Sequence, residues 1–540
     1  MDASLDVLTT LAFRLAKAER SLSKTERERN ALARKLKALK RKRLVRWALK
    51  TSKSMKRLRS LLGRLAVRND PFARLLETAG KLPKSNGSRF YVKRPVKIGI
   101  VCDQFMWDAL SPAAEFIYIR PAKSSFETLE SLDLLLVVST FRGLKEEEWR
   151  RCSKPNSPQF IILCEMMTRA RAIGKPVAFY SKEDPVHYLQ FLDFAKRADF
   201  IFTTARESVT DYCRDCGHSR VFPLEFCLNP LLHNPIGRGQ RIRGVLFAGS
   251  WMGKSLERCA ALTAIFRGVR RSGLPFWIFD RRSSEHKGDV FAFPDEFKTY
   301  VKPSVGHDVL QSLHKSINWA INVNTVTESE TMFAARVREL LANGTLLVSN
   351  RSKGMERKFP EVFVAEDEET VRRILGSDDE PALSERRFAG IRRVMTGETC
   401  YDRIDELLAR VGFRQEPRVR RILVVCDRVT PKVREYFDRQ TYPHRKLVSR
   451  EALTEGEYLQ MDIVAFFVDG VRYPMHYLED LSNAFKYVNV DFVTDGGGAV
   501  QNYVPRVADV SRTIFWRESL PFACLANVQR ASFAAGGYCV

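Results

Sequence analysis

No apolar run in this sequence approaches the roughly 18 residues of a membrane-spanning helix, and its first residues lack the apolar core of a secretory signal. These absences argue against a helical membrane protein and predict a cytoplasmic one. Paired cysteines are scarce too. Eleven Cys are present, but most stand singly in apolar stretches, as Cys102, Cys164 and Cys426 do. That usage suits small core residues in a reducing compartment. Cys213-x-x-Cys216 with His218 has metal or redox spacing, yet no second pair accompanies it, so it reads as a helix end in an αβ unit. Zinc-finger spacings, RRM signatures and aromatic base platforms are also missing, which disfavours nucleic acid as a partner.

What is present is length and positive charge. The chain has 540 residues, 45% of them hydrophobic, and a net charge of +25. Its length allows roughly three or four domains. Residues 1–75 carry 22 Lys and Arg against 6 Asp and Glu, about two-thirds of the excess. A localised patch implies a localised polyanionic partner.

Residues 1–80 read as a basic helical arm. Leu8, Leu11, Leu15, Ala18, Leu22, Thr25, Leu32, Leu36 and Leu39 alternate by four and three, the seam of a coiled coil, with Arg29 at a core position. A homo-oligomer through this seam and a single helix folded onto the body both fit. In residues 40–68, Lys and Arg interleave with Leu44, Trp47, Leu49, Met55 and Leu58. Such a helix can lie on an anionic bilayer, so a peripheral position at the inner face of the cell membrane is expected, ahead of a solvated or protein-binding face.

Residues 81–95, with two Pro, one Gly and several Ser and Lys, read as a linker. Strands are expected at Val96–Cys102, Leu134–Val138, Phe160–Leu163, Val177–Tyr180, Phe200–Thr203 and Val221–Pro223. With intervening helical stretches this means a parallel sheet covered on both faces, whose working edge is the carboxyl end of its strands. Just beyond Val177–Tyr180 comes Ser181-Lys-Glu-Asp-Pro-Val-His187. Its ionisable groups, Glu183, Asp184 and His187 among them, can present acid and base to one substrate, and the bland alternative is a surface loop starting a helix at Pro185.

A second αβ domain follows a basic linker at 237–243. Val245–Ser250 reads as a strand ending in a tight turn, where Gly249 would let a diphosphate approach the backbone. Lys254, Arg258, Asp280 and Arg281 follow at or near strand ends. A strand–helix–strand unit fills 317–350: an apolar strand at Trp319–Val323, a helix capped by Ser329 or Thr331 and running from Met332, a stop at Asn343-Gly344 and a strand from Leu346. Its helix start would favour a phosphate, and Glu339, two turns along, would reach a ribose hydroxyl.

Asn322-Val-Asn324, Thr331-Met332, Arg336, Glu339-Leu-Leu-Ala and Gly344-Thr345 resemble the nucleotide-sugar half of group-1 glycosyltransferases, in particular the branch related to the spore-maturation protein CgeB. Lys182-Glu-Asp-Pro185 with His187, and Ala198–Thr204, resemble that family's first domain. The resemblance implies the two-Rossmann GT-B fold and donor contacts through Gly249, Ser250, Lys254, Arg258, Asp280, Arg281, Asn324, Thr331, Met332, Arg336 and Glu339. It places the 181–187 loop at the interdomain cleft. The superfamily's E-x7-E pair keeps only its second member, Glu339, since Thr331 stands at the first. Residues 439–443, the Asp462–Val468 strand and Tyr473-Pro474 resemble a family-2, GT-A-type glycosyltransferase that retains only Asp469 of its metal-binding carboxylates, so this domain is expected to be degenerate.

The expected architecture is therefore α/β: a basic coiled-coil arm (1–80), a linker (81–95), two Rossmann-like GT-B domains (96–236 and 243–408) and a small GT-A-like domain (419–540). The expected function is sugar transfer from a nucleoside-diphosphate sugar, UDP first among them, to a glycan, lipid-linked or protein acceptor, with no metal and no further cofactor. The alternative is a non-catalytic scaffold that binds membrane or partner proteins.

Overall fold

The computed structural model describes residues 70–144, 148–282, 289–497, 501–528 and 531–540. The expected coiled coil and the basic stretch 40–68 lie outside the described residues. The chain divides after Arg74, and the unit Leu75–Val540 holds the three sheets found among the described residues.

The first sheet contains β1 (Arg94–Val101), β2 (Ala114–Tyr118), β3 (Leu134–Val138), β4 (Val177–Ser181), β5 (Phe200–Thr203) and β6 (Val221–Pro223), all parallel, in the order β2-β1-β3-β4-β5-β6. β3 and β4 are buried at every position, as strands covered on both faces must be. Phe160–Leu163 is not a strand. It lies in the helix Pro158–Ala172, whose first turn is capped by Ser157, its Oγ accepting from Phe160 N at 3.1 Å. A short apolar run does not distinguish the two states, and the Ser-Pro start signal decides for helix. The edge strand β2 was not expected; it carries the short apolar run Phe116–Tyr118, but only its first residue is fully buried.

The second sheet is parallel as well: β7 (Ile242–Gly249), β8 (Phe276–Asp280), β9 (Val301–Lys302), β10 (Ile317–Asn322), β11 (Leu346–Ser349) and β12 (Phe363–Val364), in the order β12-β11-β10-β7-β8-β9. The helix expected from Met332 begins instead at Arg336 and spans only Arg336–Ala342. Residues 325–334 are bends and extended chain, in which Ser329 Oγ accepts from Met332 N at 2.9 Å without starting a helix. Phe333 leaves the helical pattern because its ring packs edge-on against Phe359, 5.8 Å away. Glu339 therefore lies in the first helical turn.

The chain crosses between the two domains twice, and the crossings are paired. Leu228 N donates to Glu398 O at 3.0 Å and Cys400 N to Leu228 O at 2.8 Å, after which the helix Cys400–Val411 returns to the first domain. Beneath them Arg338, fully buried, binds Glu398 at 2.8 Å and also Glu225, while Lys358 binds both carboxylates at 2.6 and 2.8 Å and Arg403 binds Glu398 at 2.8 Å. Burial pushes the Glu398 carboxyl up, but the Arg338, Arg403 and Lys358 charges outweigh it and hold it at about 2.

The third sheet is mixed. It contains β13 (Ile422–Cys426), β14 (Arg445–Ser449), β15 (Ile463–Phe466), β16 (Phe492–Thr494), β17 (Asn502–Val504), β18 (Thr513–Trp516) and β19 (Gly537–Cys539), in the order β14-β13-β15-β18-β16-β19-β17. Residues 81–95 are not a free linker. Ser85 Oγ donates to Tyr487 O at 2.7 Å, Asn86 Nδ2 to Asn489 O at 2.9 Å and Phe90 N to Phe485 O at 3.0 Å, so the segment lies bonded along this third domain. The domain also holds the hinge, through Gly237 N to Gln501 O at 2.7 Å, and the helix Glu380–Met395, through two Arg392–Asp480 bonds of 2.7 Å.

Candidate functional site at the interdomain cleft

Two contacts show that the carboxyl edges of the two parallel sheets face each other. Thr331, beyond β10, donates to Thr204 O, beyond β5, at 2.8 Å and accepts from Arg206 N at 2.9 Å. His307, beyond β9, places Nδ1 2.8 Å from Asp108 Oδ2 on the helix that follows β1. In open parallel sheets, ligand sites gather at this edge.

On the second domain's side three arginines meet at the end of β7, two through their guanidinium groups and Arg281, whose side chain is exposed, through its backbone N–H. Arg258, 9% exposed, donates to Ser250 O at 3.0 Å, Arg336 donates to Ala248 O, and Arg281 N donates to Gly249 O at 3.3 Å. Burial pushes the Arg258 guanidinium below its usual range, and the Arg336 and Arg281 charges push the same way. Burial lowers Arg336 similarly, with Arg281 adding and the Glu339 carboxylate opposing. Like charges gathered in a half-desolvated place disfavour one another, and an anion between them relieves that cost. Ser250 Oγ is buried beside them with no protein partner among the described residues.

The remaining donor-side residues divide. Lys254 is exposed in the turn before the helix Leu256–Ser272. Asp280 is buried and its Oδ1 accepts from Arg282 N at 2.9 Å, closing the turn after β8. Gly249 lacks a side chain for a different reason than expected: a Cβ there would sit 2.7 Å from the Phe247 ring. Asn324 ties β10 to β11, with its backbone N donating to Asn350 Oδ1 at 2.7 Å and its Oδ1 accepting from Ala334 N at 3.0 Å. Met332 is half-buried in the irregular segment, and both hydrogen-bonding roles of the Thr331 hydroxyl are taken by the first domain. The phosphate-binding helix start expected at Thr331–Met332 is thus absent, replaced by a domain contact.

Glu339, 6% exposed, lies 4.0 Å from Nε2 of His233, which comes from the hinge. Both ring nitrogens of His233 are buried without a partner among the described residues, and burial pushes the imidazole down to about 4 against the pull of Glu339. The opposite shift occurs at His307, which its hydrogen bond to Asp108 raises.

On the first domain's side the loop after β4 is built around Lys182. It is 8% exposed, pairs with Asp103 at 3.1 Å, and also binds Glu183. Glu183 is thereby held with part of its carboxylate open to the cleft. Asp184 turns inward: fully buried, it accepts from Thr203 Oγ1 at 2.6 Å and Tyr212 OH at 3.2 Å, and burial raises its carboxyl. His187 is half-buried, 5.2 Å edge-on from the Phe141 ring, and precedes the helix Tyr188–Ala195. Pro185 is exposed and does not start that helix. Sequence reading passed over Lys182, His233 and the Asp108–His307 pair. Lys182 stood within the quoted loop, whereas Asp108 and His307 are 199 residues apart and neither carries a local signal.

Cys213 and Cys216 lie on the helix Ser208–Cys216, capped by Gly217, and no group of three or more metal-ligating side chains occurs among the described residues. Asp469 is exposed, its Oδ1 accepting from Gly470 N at 3.1 Å.

A search of the curated proteins finds no match. Among solved structures the chain is similar to Anabaena Alr3699/HepE in complex with UDP-glucose, at 10% identity and a TM-score of 0.40, covering 58% of this chain and 99% of that one. It is also similar to the N-terminal domain of Candida albicans trehalose-6-phosphate phosphatase, at 9% identity and a TM-score of 0.37, covering 61% and 99%. AviGT4, a glycosyltransferase involved in avilamycin A biosynthesis, follows at 14% identity and a TM-score of 0.31, covering 58% and 97%. Residues 266–409, which include Arg281, Arg336 and Glu339, match the family described as glycosyl transferase-like.

Proposed function

We propose that the chain is a nucleotide-sugar-dependent glycosyltransferase of the two-Rossmann type, with the donor on the second domain and the acceptor on the first. The observation that carries this reading is the meeting of the Arg258 and Arg336 guanidinium groups on the end of β7, with the charge of the exposed Arg281 acting on both, within and beside the stretch that matches a glycosyltransferase family. Sugar transfer breaks the bond from the anomeric carbon to the diphosphate oxygen, which leaves with the electron pair. Guanidinium groups already in place stabilise that charge without reorganising. Glu339, beside them, is placed to accept from a ribose hydroxyl. Metal independence and a UDP-sugar donor belong to the same proposal.

An acceptor hydroxyl must lose its proton as its oxygen bonds to the anomeric carbon. Glu183 is the loop carboxylate with an open approach, whereas Asp184 is engaged by Thr203 and Tyr212. An inverting transfer would use Glu183 as base. Loss of turnover in Glu183→Gln with donor binding intact would support inversion, and normal turnover would remove the base from this loop.

The test is calorimetric and thermal-shift titration of UDP, GDP, CDP, ADP and their common sugar conjugates, with and without EDTA, on the wild type and on Arg258→Ala and Glu339→Ala. One nucleoside diphosphate should stabilise the wild type, ignore EDTA and bind roughly tenfold or more weakly to each variant. Binding that is absent in the folded wild type, or indifferent to both substitutions, would overturn the reading.

A further inference from the structure

A cavity of about 430 Å³ opens behind the cleft, where the Leu82–Ser85 segment, the hinge at Leu231–Leu232 and the helix His307–Lys315 meet. Arg258, Arg281, Arg336 and Glu339 do not line it, so it is separate from the candidate donor site.

Its charged lining comprises Lys84, exposed at the rim; Asp108, which is bound to His307; Asp308; and the buried Lys315. Lys315 is 8% exposed, and its Nζ donates to Asn234 Oδ1 at 2.6 Å. An ammonium has three donors and this contact uses one. The only charged group that acts appreciably on it is Arg241, which is also a cation. Burial, with Arg241 adding, pushes the Lys315 ammonium down to about 7. A lysine kept in that condition gains from any anion that reaches it.

One turn earlier on the same helix face, Gln311 is 6% exposed, and its Oε1 is buried without a donor among the described residues. Its amide lies 3.1 Å from His307 Nε2, which fixes the side chain at the cavity wall. Leu82, Pro83, Leu231 and Leu232 supply an apolar wall opposite. A buried cation short of acceptors beside an apolar wall suits a small organic anion.

We propose that this cavity binds a small organic anion, its carboxylate or phosphate on Lys315 and its carbon skeleton against the leucines. Such a ligand touches the hinge, the second domain and the segment ahead of the first, so its occupancy stabilises their arrangement.

The experiment is calorimetric titration of the full chain with glycerol 3-phosphate and, separately, lactate. The variants are Lys315→Met, Val309→Trp and Arg258→Ala. Val309 lines the cavity and is 39% exposed, so the Trp fills the space without entering the core and keeps the test independent of whether the Lys315 variant folds. At least one probe should bind the wild type, roughly tenfold or more weakly to Lys315→Met and Val309→Trp, and unchanged to Arg258→Ala. Which probe binds identifies the anionic group. No binding of either probe at about 10 mM would overturn the proposal. So would binding that Val309→Trp leaves intact and Arg258→Ala removes, which would place the anion in the donor cleft instead.

Discussion

Thr331 Oγ1 of the second domain donates to the Thr204 carbonyl of the first at 2.8 Å and accepts from Arg206 N at 2.9 Å, so one hydroxyl joins the two sheet edges. Replacing it by Val keeps the shape and leaves both backbone groups unpaired in a buried place, which costs about 1–3 kcal/mol. Thr331→Val should lower the midpoint of denaturant unfolding accordingly, and Thr331→Ser should restore most of it. Equal loss in both variants would mean that packing, not the hydroxyl, matters here.

Glu398 links the domain crossings to acid stability. Its carboxyl titrates at about 2 in the folded chain, below its ordinary value of 4.5. A depressed folded value contributes stability that is present above about 4.5 and lost as pH falls towards 2, here about 3 kcal/mol. Glu398→Gln should remove that part of the pH dependence and destabilise the protein by about 3–5 kcal/mol at neutral pH, because Arg338 loses a partner while fully buried. Unfolding curves from pH 3 to pH 7 on both proteins decide it.

Lys182→Met should leave Asp103 and Glu183 repelling each other across the vacated ammonium. Both carboxylates keep about a quarter of their surface exposed, so the cost is at the lower end for a broken pair, about 3 kcal/mol. If Glu183 acts as the base, kcat falls with it while the donor affinity measured by calorimetry stays the same. A matching fall in donor affinity would place Lys182 on the donor side.

Asp480→Ala removes the acceptor of both Arg392 bonds between the third domain and the helix Glu380–Met395. The pair is about four-fifths buried on each side, and its loss should cost about 3 kcal/mol and speed limited proteolysis of residues 419–540. Unchanged proteolysis would show that the domain's other contacts, at the 84–91 segment and Gly237 among them, suffice to hold it.

Much of the αβ alternation was legible. Leu134–Val138, Phe200–Thr203 and Val221–Pro223 are strands to the residue, short apolar runs that lack the Ser-Pro start signal which makes Phe160–Leu163 helical. The misreadings share a cause. Thr331 reads as a helix cap and Phe333 has helical spacing, yet their partners come from the other domain and from Phe359, and spacing says nothing of distant partners. Residues 81–95 have linker composition, but Pro, Gly and Ser suit an extended chain bonded to another domain just as well, and those partners lie some 400 residues away. At the site, Arg258 was legible from its place after a strand-ending glycine. Asp108 with His307, and the inward turn of Asp184, depend on contacts that no local pattern encodes.

The third domain holds the 84–91 segment, the hinge at Gly237 and the helix Glu380–Met395 at once. The sheets are therefore coupled through the last stretch of the sequence, and residues 75–540 should melt in one cooperative transition. Removing that stretch should split the transition in two, making the C-terminal module the source of cooperativity for the pair of domains that precede it.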